Sequence, residues 1–142
     1  VGKSADGKYI IAGAIGTVPG ADGSGLTDLT ALIQTKLKKA PAAFVPQTWD
    51  AGALLILAAQ AAKANTGEAI QAKLRDVANG PGETVTDVCK GLALLKAGKK
   101  INYQGASGNV DIDANGDVVG SYDIWKVGDD GKISVTGKVK LD

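Results

Sequence analysis

GASGNVDIDANGDVVGSYDIWKV, residues 105–127, decides the fold class. Asp111, Asp113 and Asn115 alternate and Gly116 follows, which imitates the front half of a calcium loop, with Asp117 at the seventh position. The twelfth position of such a loop is a bidentate Glu, and here it is Tyr122. The flanks have a period of two rather than that of helices. Val110 and Ile112 alternate with Asp111 and Asp113, and Tyr122, Ile124 and Lys126 alternate with Asp123, Trp125 and Val127. The pattern predicts a β-hairpin turning at Asn115-Gly116 in a type I′ conformation, its carboxylates facing solvent. A calcium-stabilised interaction module is the weaker reading of the same residues.

The two-residue period continues downstream, with Ile133, Val135, Val139 and Leu141 expected on one face and turns at 115–117 and 128–131, so the C-terminal third reads as a β-meander. Upstream the period is helical. Leu26, Leu29, Ile33 and Leu37 mark a first helix, entered at Ser24 or Gly25, closed by Lys36, Lys38 and Lys39, and stopped by Pro41. Asp50 reads as the N-cap of a second helix over 51–64 that is apolar nearly all round, which predicts burial on every side. Thr66 opens a third helix carrying Ile70, Leu74 and Val77, and Thr86 or Asp87 opens a fourth carrying Val88, Leu92 and Leu95. The run KYIIAGAIG, 8–16, reads as a strand buried on both faces and therefore seeking parallel neighbours. The class is α/β: a strand, four helices, then a meander, with 1–20 and 101–142 mainly strands and 24–98 mainly helical.

Composition narrows the chemistry. The chain has no His, which excludes imidazole bases, Ser–His or Cys–His nucleophiles and His-ligated metals. Its single Cys89 is expected to be a small buried hydrophobe on the fourth helix. A net charge of +1 with dispersed lysines gives no nucleic-acid footprint. GADGSGLT, 20–27, has phosphate-loop glycine spacing, but Leu26 stands where the lysine belongs, so it reads as a helix-entry loop. Nothing here points to an enzyme, a metal or a cofactor. The absence of an initiator Met leads us to expect a piece of a longer polypeptide.

Three segments together resemble the C-terminal part of a periplasmic substrate-binding protein of the branched-chain amino-acid transporter type: IGTVPGADGSGL (15–26), FVPQTWDAGALLILAAQAAKA (44–64) and the run 101–127. The GASG-x-V-x-I-D-x-NGD pattern followed by Y-D-I-W is the most specific element. The resemblance implies a two-lobed type I periplasmic-binding-protein fold, of which 1–142 is a single C-terminal segment. It also implies an amino acid or related small solute held between the lobes, a periplasmic location, and delivery to a membrane ABC permease. A ligand-sensing domain with the same fold is the alternative. Phe44, the aromatic before the second helix, is implied to line the ligand cleft, with Gln47 and Trp49 as further candidates. Most contacts would come from the missing N-terminal part, so tight binding by this chain alone is not expected. Either that part or a second copy would cover the exposed strand.

Overall fold

The computed structural model describes residues 2–140. Its elements are β1 (Ile15–Pro19), α1 (Leu26–Leu37), α2 (Val45–Ala62), α3 (Gly67–Ala78), β2 (Glu83–Val85), α4 (Val88–Lys96), β3 (Ile101–Tyr103), β4 (Ser121–Val127) and β5 (Ile133–Lys140). They form two units. Helices α2, α3 and α4 pack with the two-stranded sheet β2-β3, and β1, β4 and β5 make a separate three-stranded sheet.

The helical unit holds the core. Leu57, Ala58, Val77, Ala78, Val85, Ile101 and Tyr103 are all buried, and fully burying a residue such as Leu57 contributes about 1.5–3 kcal/mol. Two helix starts follow from their caps. The Thr66 hydroxyl accepts from Ala69 N and the Asp87 carboxylate from Lys90 N at 2.7 Å, each satisfying one otherwise unpaired amide. Gly91 lets α4 lie close on α2, where a Cβ would meet Leu57 Cδ2 at 2.8 Å. The connection β2–α4–β3 is a compact parallel crossover, and its three-residue strands are too short to leave a periodic signal in the sequence.

Several expectations are corrected. The strand expected over 8–16 begins only at Ile15, because Gly13 takes φ 86° and turns at Tyr9–Ala12 and Ile11–Ala14 break the apolar run. Its partner is β4, antiparallel, and Ile10 and Ile15 are exposed. Helix α2 begins at Val45, not after Asp50. Pro46 occupies its first turn, where a missing N–H costs nothing, and Asp50 lies inside the helix. Nor is α2 buried all round. Pro46, Asp50, Ala53, Leu54, Leu57 and Ala58 face inward, but Leu55 and Ile56 are about half exposed, since α3 and α4 cover only one side.

The meander is shorter than its pattern suggested. Val110 is buried in the helical core without being in a strand, and Ile112 makes only an isolated bridge to Val118. The turn between them is a three-residue loop with one left-handed residue, Gly116, in place of the two that type I′ requires. In β5 the register shifts by one residue opposite Ile124/Trp125. Such a bulge sends subsequent side chains to the other face, so Val139 pairs with Tyr122 and leaves the face shared by Ile133 and Val135. Leu141 lies outside the described residues.

Candidate functional site

Asp50 organises this part of the molecule. It is 2% exposed, and its carboxylate accepts from Tyr103 Oη at 3.0 Å, from Ala106 N at 2.8 Å, from Ser107 N at 2.7 Å, and from Ser107 Oγ. The residues of GASG are thus the donor loop for a buried carboxylate on α2. Gly105 has to be glycine here, because a Cβ would overlap the Asp50 carboxylate. Burial first, and then the charge of Asp50, pushes the Tyr103 phenol well above the ordinary tyrosine range.

The same loop bonds to the loop after β1. Asp22 N donates to Ser107 O, Gly23 N to Ala106 O and Gly25 N to Gly105 O, each at 3.2 Å. Among the described residues the chain passes between the units twice, after β1 and just before β4, and beside the first crossing these two loops form a paired neck. One helical turn before Asp50, Gln47 Nε2 donates to Gly20 O at 2.7 Å. One face of α2 therefore grips both strands of the neck.

The acidic stretch is docked rather than free. Arg75 of α3 donates to Asp113 O at 2.6 Å and to Ala114 O at 3.1 Å, while Asn79 exchanges two bonds with Ile112. Asp113 Oδ1 accepts from Asn115 N and Asp117 N, both at 2.8 Å. These backbone amides, that of Asp117 foremost, hold the Asp113 carboxyl below the usual range. The carboxylate closes its own turn, so its acidity is explained locally.

Phe44 caps α2 with φ 67°, a left-handed backbone that an aromatic rarely adopts, and the residue is 55% exposed. It lines two hollows. One, of 660 Å³, is apolar and also bounded by Trp49, Ile56, Val88 and Cys89. The other, of 370 Å³, lies between the helical unit and the sheet and is bounded by Val18, Leu26, Gln47 and Asp123. The structure therefore brings Phe44 and Trp49 together in the first hollow and Phe44 and Gln47 together in the second. Cys89, expected to be buried, is exposed at the rim of the apolar hollow because α4 turns that face outward. Sequence reasoning missed the neck and the role of Asp50 in it, because the partners of Asp50 lie 53–57 residues away in the chain. No helix among the described residues is long and apolar enough to cross a membrane.

Comparison with known proteins agrees with this architecture. The sequence model of the receptor family ligand-binding region matches residues 3–130. Over 90 residues the chain is 36% identical to the chemotactic signal transduction system substrate-binding protein BasB of Halobacterium salinarum, covering 62% of this chain and 22% of that protein. The crystal structure of the leucine-binding protein LivK of Thermotoga maritima superposes with a TM-score of 0.63 at 22% identity, covering 93% of this chain and 32% of that one. The chain thus spans between a fifth and a third of the relatives it matches. With a family match over nearly its whole length and this fold, the chain belongs to the receptor family ligand-binding region, of the type I periplasmic-binding-protein kind.

Proposed function

We propose that this chain is the C-terminal segment of an extracytoplasmic solute-binding protein that holds an amino acid, branched-chain or closely related, between two lobes and hands it to a membrane ABC permease. The observation that carries the reading is Phe44, an exposed aromatic held in a left-handed conformation at a helix entry, on the rim of two hollows. Strained, exposed residues of this kind cluster where ligands are gripped. Trp49 extends the apolar wall, while Gln47, a further candidate, has its amide engaged on Gly20 O and backs the wall from the neck side, so the wall suits a solute with an aliphatic portion. The relatives, a leucine-binding protein and a substrate-binding protein by name, point the same way. Exposed Leu55, Ile56, Ile133 and Val135 are surfaces that the remainder of the polypeptide would cover. Calorimetric titration of the full-length protein with L-leucine, L-isoleucine and L-valine should give saturable heat. No heat with these or with any other amino acid, amide or urea-like solute would overturn the reading.

A second reading, a ligand sensor, is favoured by the chemotactic system in which BasB is named. The two readings share the cleft and differ in the membrane partner. Deleting the gene should abolish solute uptake under the first, and attraction to the solute with uptake intact under the second.

A further inference from the structure

Among the described residues, two buried side-chain atoms lack a hydrogen-bond partner: Gln47 Oε1 and Ser121 Oγ. Both flank Gly20. Gln47 holds the Gly20 carbonyl through Nε2, and Gly20 N donates to Ser121 O at 2.8 Å, so the two crossings between the units run side by side at this point. Gly20 is itself buried and presents no side chain between them, and a Cβ there would lie 3.0 Å from Ser121 Oγ. Each orphaned atom carries a desolvation cost that a hydrogen bond would remove. Both are sealed from solvent, so a solute in the cleft does not reach them without a movement of the chain. The neck below is fixed by its own paired loops and by Asp50, which leaves the Gly20–Ser121 crossing as the place where the sheet can turn against the helical unit. The other acceptors nearby are engaged. The Asp50 carboxylate has four donors, and Asp123 Oδ1 faces Lys138 Nζ at 3.7 Å.

We infer that Gln47 and Ser121 are positioning residues that form a latch. Rotation of the sheet about the neck brings the Ser121 hydroxyl onto the Gln47 side-chain carbonyl and holds the closed, ligand-bound form. The inference rests on the solute-binding reading and adds to it the element that stabilises closure. A closing contact of this kind slows release and leaves encounter unchanged.

The test uses full-length protein, wild type and with Ser121→Ala, Gln47→Leu and both, titrated with whichever of L-leucine, L-isoleucine and L-valine gives heat. Ser121→Ala should weaken Kd by roughly three- to tenfold, the worth of one net hydrogen bond, through a faster off-rate with the on-rate kept. The ligand-free Tm should stay level or rise, because the orphaned hydroxyl is gone, whereas a merely structural serine would lower it. The double variant should lose no more than Gln47→Leu alone. Unchanged Kd in Ser121→Ala, additive losses in the double variant, or coupling of Ser121→Ala to Asp123→Asn instead would each overturn the latch while leaving solute binding intact. No heat in the wild type would overturn the solute-binding reading and the latch with it.

Discussion

Replacing Asp50 with Asn keeps the shape of the side chain and removes what the neck depends on. The carboxylate accepts from Tyr103 and Ala106 on one oxygen, and from the backbone and side chain of Ser107 on the other. An asparagine has one acceptor oxygen, so its amide nitrogen must face a donor. If the oxygen stays on Tyr103 and Ala106, the amide confronts Ser107 N–H and leaves it unpaired. That orphan costs about 1–3 kcal/mol, and loss of charge assistance on the retained bonds adds about 1 kcal/mol more, since bonds to charged groups contribute about 1.5–3 kcal/mol against about 1 kcal/mol for neutral ones. The sum is roughly 3 kcal/mol, a large part of the ~5–15 kcal/mol that holds a domain folded. Asp50→Ala should cost more, because every donor is then orphaned. Urea unfolding of the intact protein, followed by circular dichroism, should show a midpoint lowered by roughly 1–2 M for Asn at an m-value of about 2 kcal/mol/M. Exposed Asp129→Asn serves as control and should move by less than about 0.5 kcal/mol. If Asp50→Asn is as mild as the control, the carboxylate is not what ties the neck to α2.

Other perturbations test the remaining elements. Gly105→Ala should destabilise by at least about 2 kcal/mol in the same urea assay, since its Cβ overlaps the Asp50 carboxylate. Arg75→Ala should speed hydrogen exchange of the 113–117 amides roughly tenfold without a comparable change in α2, as it frees the docked loop locally. The Tyr103 phenol is raised in the folded state, so above the unfolded tyrosine value of about 10 the unfolded chain releases a proton that the folded chain keeps. The stability it contributes is complete below that pH and falls as pH rises towards the folded value. Tyrosinate absorbance should therefore show one tyrosine ionising with unfolding, and Tyr103→Phe should flatten the alkaline decline. Residues 1–142 alone should associate in light scattering through the exposed apolar residues of α2 and the sheet, and a monodisperse monomer would contradict that.

The caps and periods of α3 and α4 were legible because their determinants lie within four residues of the element. Thr66 and Asp87 each serve the helix they precede, and the apolar stripes follow. Asp50 misled for the same reason. A carboxylate before an apolar run reads as a cap, yet its donors are at 103–107, and only the folded chain brings them together. The local signal for the true start of α2 was Pro46, which belongs in a first turn, and the helix accordingly starts at Val45, five residues before Asp50. The strand misplaced over 8–16 shows the limit of an unbroken apolar run, because burial and hydrogen bonding are decided by Gly13 and by β4 more than a hundred residues on. Phe44 and Trp49 were singled out through resemblance alone, and the hollow they share depends on α4 reaching α2.

The two acidic signals of this chain have opposite physical meanings, and burial separates them. DIDANGD concentrates carboxylates in the open, where Asp113 closes a turn and Arg75 and Asn79 tie the backbone to α3. Asp50 stands alone in an apolar helix, and for that reason its cost must be met by several donors at once. A helix that carries such a group cannot rotate or slide without orphaning it, so α2 is fixed in register against the neck. Phe44 and Gln47 sit on the same rigid element, about two turns and one turn ahead of Asp50 respectively, and inherit that register. The geometry of the candidate site therefore depends on a residue outside the hollows that Phe44 lines, and variants at Asp50 should shift the geometry of Phe44 as well as stability.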